Sequence, residues 1–313
     1  VGFFYVKASN FTPFIPPSQP ASTVEGSSAV TGVMTQPLWQ FATGMTPSVY
    51  GVPGILSGAA LVFFAFIGFD VVATASEETK NPHKNVPLGI GVGMLLIIVM
   101  YMLVAVVTTG MVSYADLAKQ DSPSLATAFE LVGADWAAKI ISFGSVLGLA
   151  TVVMVLLLGL TRIVFAMSRD GLLPRGLSKT GKHGTPAALQ IVVGAVVALV
   201  AAFFDIGVLS DMVNIGTLSA FTLVAISIPI MRKKRPDLPR AFKMPGSPWI
   251  PILIAVANFW LMLNLSVLTW IRFVVWLVVG FAIYFGYGYW HARLGKGDLT
   301  ETLSAETDKA VNG

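Results

Sequence analysis

The sequence predicts an all-α protein that is integral to a membrane. Its 313 residues are 55% hydrophobic and 12% charged, and the mean hydropathy is +0.77. A soluble domain of this length needs a larger share of charged residues to cover its surface. The apolar residues also gather in runs long enough to cross a bilayer as helices, and basic residues collect between alternate runs.

Seven runs are predicted to be membrane helices, because each is mostly apolar over about 18 residues or more. They are Val52–Ala75, Val86–Met111, Lys139–Met167, Ala187–Phe204, Val208–Met231, Ile250–Leu268 and Ile271–Trp290. Only Thr269 and Trp270 remain between the last two runs. We therefore expect the turn of an antiparallel helix pair at these two residues.

The first run is interrupted in its middle by Gly68 and Asp70. An aspartate near the centre of a bilayer costs about 2.5–3.5 kcal/mol on insertion scales. This cost favours a break in the helix over Phe63–Asp70, where backbone groups freed from helical hydrogen bonds could bind a ligand. The alternative is that Asp70 lies near the end of the helix and extends to the interface.

The third run has a side of small and hydroxyl-bearing residues, among them Gly144, Gly148 and Thr151. Met154 follows Thr151 by about one turn, so both side chains could face a pocket opposite the broken helix. Close packing between helices explains the same residues equally well, because Gly144 and Gly148 form a small-residue packing pattern.

The lysines and arginines are distributed unevenly between the two sides of the predicted bundle. Of the twenty, fifteen follow the first, third, fifth or seventh run, four lie on the opposite side, and Arg162 lies within a run. This asymmetry predicts that the chain begins outside and that its carboxy-terminal tail is cytoplasmic. The basic cluster Arg232–Arg235 directly follows a membrane run and is interpreted as a determinant of topology. We therefore expect no nucleic-acid partner.

The segments outside the runs have distinct compositions. Residues 1–6 resemble the end of a preceding membrane helix, and the absence of an initiator methionine and of signal-peptide features indicates a fragment. Residues 7–50, rich in Pro, Ser, Thr and Gly, are predicted to form an external loop with little helix. Residues 296–313 are polar and are predicted to be disordered.

The sequence offers little for catalysis. It contains no cysteine, and its three histidines, His83, His183 and His291, fall in loops or in the tail. No pair of nucleophile and base occurs at membrane depth, and no residues have the spacing of metal ligands. We therefore expect neither an enzyme nor a cofactor or metal site.

Four motifs together resemble a known group of transporters. Phe64–Asp70 (FAFIGFD), Ser76–Pro82 (SEETKNP) and Arg162–Pro174 (RIVFAMSRDGLLP) resemble the amino acid–polyamine–organocation superfamily. The basic connector that ends in Phe242–Trp249 (FKMPGSPW) is similar to that of its cationic amino acid transporter family. The resemblance extends over nearly the whole chain.

This resemblance implies the LeuT-type fold, which has two inverted repeats of five helices followed by two more helices. The seven runs then correspond to helices six to twelve. Residues 52–231 would form the second repeat, residues 250–290 would form the two additional helices, and an amino-terminal half would be missing from this chain.

The resemblance also implies a binding site at the break. The α-amino group of the substrate would bind carbonyls of Phe64, Ala65 and Ile67, with Phe66 and Gly68 in the same site. Met154 would form part of the pocket wall. Asp70 would organise the break or sense protons, and Thr151 is a candidate for coupling or gating.

The expected function is secondary active transport of amino acids, coupled to protons and working by alternating access. The expected partners are an amino acid (cationic or small neutral), a proton, the lipid bilayer of a bacterial cell and the missing half of the protein. The alternative is a non-transporting membrane subunit or an amino acid receptor with the same fold.

Overall fold

A computed structural model describes most of the chain. The described residues are 1–23, 32–69, 71–74, 79–120, 123–178, 186–236 and 246–292, with the backbone alone for Ala73, Thr74 and His83. The described residues form helices and one small antiparallel sheet, in which β1 (Gln19–Pro20) pairs with β2 (Ser48–Val49).

The helices follow one another along the described residues. They are α1 (Leu38–Thr43), α2 (Gly51–Val62), α3 (Val71–Thr74), α4 (Pro82–Met111), α5 (Tyr114–Ala118), α6 (Leu125–Leu131), α7 (Asp135–Arg169), α8 (Ala187–Phe203), α9 (Ile206–Lys234), α10 (Trp249–Leu263), α11 (Val267–Ile283) and α12 (Tyr289–His291). Short 3₁₀ turns occupy Gly2–Tyr5, Ala8–Phe11, Ala21–Thr23, Phe63–Phe66 and Arg175–Ser178, and a π turn over Tyr284–Gly288 joins α11 to α12.

Each of the seven predicted runs corresponds to an apolar helix. Within the described residues, four helical segments are long and apolar enough to cross a membrane: Lys84–Met111, Asp135–Arg169, Ile206–Lys234 and Val267–His291. Three shorter apolar segments, Gly51–Phe66, Ala187–Phe203 and Trp249–Leu263, match the other runs. The prediction of an all-α membrane protein is confirmed.

The turn between the last two predicted runs lies earlier than the sequence indicated. The chain turns between α10 and α11 at Asn264–Ser266, so Thr269 and Trp270 belong to α11. The hydroxyl of Ser266 accepts a hydrogen bond from the backbone N–H of Thr269 at 3.2 Å. Ser266 is therefore the N-cap of α11, and the prediction failed because this single polar cap lies within a continuous apolar run.

The chain divides into two compact units. One unit is Val1–Thr151 with Gly207–Ile271, and it contains the break in the first run. The other is Val152–Ile206 with the described part of Arg272–Gly313. Within this second unit the turn after α7 contacts α12, where Gly171 (φ 82°) lies against the carbonyl of His291 with no room for a Cβ atom.

The described part of the amino-terminal segment, residues 1–50, contains short 3₁₀ turns, the six-residue helix α1 and the two short strands. Its first 3₁₀ turns contact α4, and the carbonyl of Gly110 near the end of α4 accepts hydrogen bonds from the Lys7 N–H (2.9 Å) and the Asn10 side-chain amide (2.8 Å). These two donors satisfy a carbonyl that lacks a helical partner at the helix end. That residues 1–6 continue a preceding membrane helix stays a prediction.

The same segment is also joined to the turn between α10 and α11. Leu38 N–H donates to the carbonyl of Leu265 (3.0 Å), and Val267 N–H donates to that of Gln36 (3.1 Å). Leu268 N–H donates to the carbonyl of Met34 at 2.8 Å. The amino-terminal segment therefore packs over one end of α10 and α11 within the first unit.

Candidate functional site

The interrupted first run has a defined geometry. α2 ends at Val62, and the chain continues as a 3₁₀ turn over Phe63–Phe66. Ile67 is extended (ψ 135°), and Gly68 has φ 123°, a value open to glycine because it has no Cβ atom. The chain resumes a helix at Val71. The predicted break is confirmed, although Asp70 lies outside the described residues.

The carbonyls predicted to bind a ligand differ in their hydrogen bonding. The Phe64 carbonyl accepts a hydrogen bond from Ile67 N–H at 3.2 Å, and the Ala65 carbonyl accepts one from the Tyr101 hydroxyl at 2.9 Å. Among the described residues, no donor is bonded to the carbonyl of Ile67, the third predicted ligand, or to the carbonyl of Phe66, which was not predicted as a ligand. Acceptors of this kind at membrane depth can bind an ammonium group or a cation.

Tyr101 of α4 is a neighbour of the break that the sequence analysis missed. Besides its hydrogen bond to Ala65, its ring packs edge-on against Phe66, with ring centroids 5.1 Å apart. One signal was present in the sequence, since Tyr101 is a hydroxyl-bearing residue in the middle of an apolar run. Nothing local, however, connects it to residues 36 positions earlier.

Helix α9 contacts the break through the aromatic ring of Phe221. The ring of Phe221 lies 6.1 Å from that of Phe63 and 5.3 Å from that of Phe69. The fully buried Asn214 of α9 donates from its side-chain amide to the carbonyl of Leu61, two residues before the break, at 3.4 Å. This bond joins α9 to the end of α2, where the Leu61 carbonyl also accepts the backbone N–H of Phe63.

Replacing Phe221 with alanine is expected to lower stability by about 2 kcal/mol, because two aromatic contacts and the buried part of the ring are lost. The midpoint of thermal unfolding in detergent measures the change. The matched control is Phe203→Ala, since the Phe203 side chain is 81% exposed. Equal shifts for both variants would contradict the role given to Phe221.

The positions of the two candidate residues on α7 do not connect them with the break. Thr151 is exposed and its hydroxyl donates to the carbonyl of Gly148 at 2.7 Å, within its own helix. Met154 is 64% exposed and belongs to the second unit. Their assignment to the pocket wall and to coupling therefore stays a prediction, as do the ligand roles of Phe64, Ala65, Phe66, Ile67 and Gly68.

Known proteins similar to this chain are named as permeases or transporters. A branched-chain amino acid permease of Bacillus subtilis, BcaP, is 47% identical over 247 residues, which are 79% of this chain and 53% of that protein. A methylthioribose transporter of the same organism is 39% identical over 95% of this chain and 57% of its own length. A mitochondrial cationic amino acid transporter of Arabidopsis thaliana is 45% identical over 62% of this chain and 31% of its own length.

Two facts follow from these matches. The chain spans just over half the length of the two Bacillus proteins. The cationic family is one of several groups that it resembles, because the similar proteins are named for branched-chain amino acids, for methylthioribose and for cationic amino acids.

The family comparison extends over almost the whole chain. A model of the amino acid permease family matches residues 1–289. The match includes the amino-terminal segment and the seven apolar helices, the broken one among them. This chain belongs to the amino acid permease family, within the amino acid–polyamine–organocation superfamily.

Proposed function

We propose that this chain is the carboxy-terminal part of a secondary active amino acid transporter and that the break at Phe63–Gly68 binds the substrate. The observation that carries the proposal is the helix interruption, with the carbonyls of Phe66 and Ile67 free of hydrogen bonds among the described residues. The family comparison supports it, because the matched residues 1–289 include the interrupted run, and two of the similar proteins are named for amino acid transport.

The break supplies both a polar and an apolar contact. The carbonyls of Phe66 and Ile67 would accept hydrogen bonds from the α-ammonium group of the amino acid, which are strengthened by its charge. The rings of Phe66 and Phe64 would lie along its apolar part. Tyr101 would fix the direction of the neighbouring Ala65 carbonyl, so that the site is formed before the substrate arrives.

The same break can act as a hinge. α2 and α3 are joined through the extended Ile67 and the positive-φ Gly68, where no continuous helical hydrogen bonding holds their relative direction. Small changes at element ends of this kind absorb the movement in alternating access. We place the amino-terminal segment outside and the tail in the cytoplasm, following the distribution of basic residues.

We further propose that a preceding five-helix repeat completes the site and binds the substrate carboxylate. Its absence from the present chain agrees with the length of the relatives, of which the chain spans 53% and 57%. Transport is therefore expected of the full polypeptide that contains this chain, in a bacterial cell membrane.

Uptake into liposomes tests the transporter proposal. The full polypeptide is reconstituted and offered labelled leucine, alanine or lysine, with the outside more acidic than the inside. We expect accumulation of at least one amino acid that collapses when a proton carrier is added. The absence of uptake and of counterflow for every amino acid, with binding retained, would contradict transport and favour the receptor alternative.

Proton coupling is tested separately with Asp70→Asn. We expect this variant to lose accumulation driven by the pH gradient while it keeps counterflow, because exchange needs substrate binding and not proton transfer. Glu130→Gln is the matched control, since it also replaces one carboxylate with its amide and lies on α6, which packs against the end of α4. Normal gradient-driven uptake by the Asp70 variant would remove this residue from the coupling mechanism.

A further inference from the structure

The first unit contains a cavity of about 640 Å³ beside the break. Its walls come from the amino-terminal segment, from α2 and from the turn between α10 and α11, with Asp211 of α9 among the lining residues. It extends along α2 from Gly51 to Leu61, and Leu61 lies two residues before the 3₁₀ turn of the break. The cavity therefore extends from the amino-terminal segment to the part of α2 that directly precedes the break.

The cavity has the electrostatic character of a cation site. Among its described lining residues Asp211 is the one charged side chain, and neither lysine nor arginine is present. Asn264 also lines the cavity and is 5% exposed, yet its side-chain oxygen has no hydrogen-bond partner among the described residues. Both residues contribute acceptors, which suit an ammonium group.

The carboxylate of Asp211 is held in place by a short chain of hydroxyl groups. The Thr269 hydroxyl, fully buried, donates to Asp211 Oδ2 at 3.1 Å. Because its hydrogen is used in that bond, the Ser266 hydroxyl donates to Thr269 Oγ1 at 2.7 Å. Ser266 in turn caps α11, so the direction of the carboxylate is fixed by the start of a helix.

The remaining walls are largely apolar and aromatic. Phe11, Ile55 and Leu61 line the cavity, and the rings of Tyr50 and Tyr114 meet edge-on with centroids 5.4 Å apart. Aromatic faces attract organic cations as well as apolar groups. A ligand that combines an ammonium group with a compact apolar body matches both parts of the lining.

We propose that this cavity is a second binding site, for small organic cations that carry a primary ammonium group and an apolar body. Asp211 binds the ammonium group, and Ile55, Leu61 and the Tyr50–Tyr114 pair surround the apolar part. The inference rests on the proposed function in one respect: an amino acid would bind here by its amino end before it moves along α2 to the break.

A single reporter cysteine can test the site, because this chain has no cysteine of its own. Ser57→Cys is introduced into the full polypeptide, in which any cysteine outside this chain is first replaced with serine. Ser57 lines the cavity. The probe is isoamylamine, which has the required ammonium group and branched apolar body, and isocaproate is its carboxylate counterpart. The rate of reaction with a small thiol reagent is measured with each compound.

We expect isoamylamine to slow the labelling of the Ser57→Cys variant and isocaproate to leave it unchanged. The control reporter is Ala118→Cys, on the exposed helix α5 and outside the cavity lining, whose labelling neither compound should change. Equal effects of the two compounds, or none from either, would overturn the proposal. A Ser57→Cys variant that is unreactive while the Ala118→Cys variant reacts would also overturn it, because another segment of the protein would then fill the cavity.

Asp211→Asn should raise the isoamylamine concentration needed for half protection by about tenfold, as expected for a hydrogen bond to a charged group. The matched control, Asp116→Asn, removes a carboxylate that pairs with Lys119 at 3.2 Å outside the cavity, and it should leave the concentration unchanged. Equal effects of both substitutions would contradict the role of Asp211. If the amine protects Ser57→Cys but no amino acid is taken up, only the proposed transport function is refuted. If an amino acid is taken up but the amine gives no protection, only the cavity site is refuted.

Discussion

Substitution of Gly68 by alanine is expected to lower amino acid uptake by roughly 5- to 150-fold, the change that corresponds to about 1–3 kcal/mol of backbone strain. Gly68 has φ 123°, where a residue with a Cβ atom is strained. An added Cβ atom would meet no atom within 4 Å, so the effect comes from the backbone and not from a clash with neighbours. The variant should relax toward a conformation in which the carbonyls of the break point elsewhere.

The matched control for this prediction is Gly58→Ala. Gly58 lies inside α2, and its added Cβ atom also meets nothing within 4 Å, but its φ is not positive. Alanine stabilises a helix interior relative to glycine by roughly 0.5–1 kcal/mol, so this variant should be as stable as the parent or more so. If both variants transported equally well, the positive φ of Gly68 would not be needed for function.

The break itself was predictable because its signals are local. A glycine and a carboxylate within a run of apolar residues conflict with a continuous membrane helix, and this conflict depends only on residues next to each other in the chain. The seven apolar runs were predictable for the same reason, since length and hydropathy are read within one segment. The end of a run was harder to predict, because Ser266, which caps α11, lies within a continuous apolar run.

The neighbours of the break were not predictable from the sequence. Tyr101 is 36 residues from Ala65, and Asn214 is 153 residues from Leu61. In a soluble helix the apolar face identifies the side that packs, but membrane helices such as α4 are apolar all round. Periodicity therefore does not indicate which face of α4 or α9 contacts the break.

The cavity near Asp211 illustrates the same limit. Thr269 and Asp211 are 58 residues apart, and their hydrogen bond depends on where α11 begins. From the sequence, Thr269 was predicted to lie in a turn, which would have directed its hydroxyl elsewhere. An error of a few residues in one helix boundary was thus enough to hide the site.

Tyr101→Phe is expected to reduce transport efficiency, kcat/KM, by about tenfold, because a hydrogen bond that orients the Ala65 carbonyl is lost. The phenylalanine ring keeps the edge-on contact with Phe66, so thermal stability should change little. Initial uptake rates over a range of amino acid concentrations give the value. Tyr284→Phe is the control, since Tyr284 contacts the ring of Phe285 and lies in the second unit.

Combining Tyr101→Phe with Gly68→Ala shows whether the two residues act on the same structure. If both hold the break in its binding conformation, the second substitution should add little to the first, because that conformation is already lost. The loss in the double variant would then be much smaller than the product of the two single losses. Two fully multiplicative losses would mean that Tyr101 and Gly68 contribute to transport independently, and the hydroxyl contact with Ala65 would not be what maintains the break.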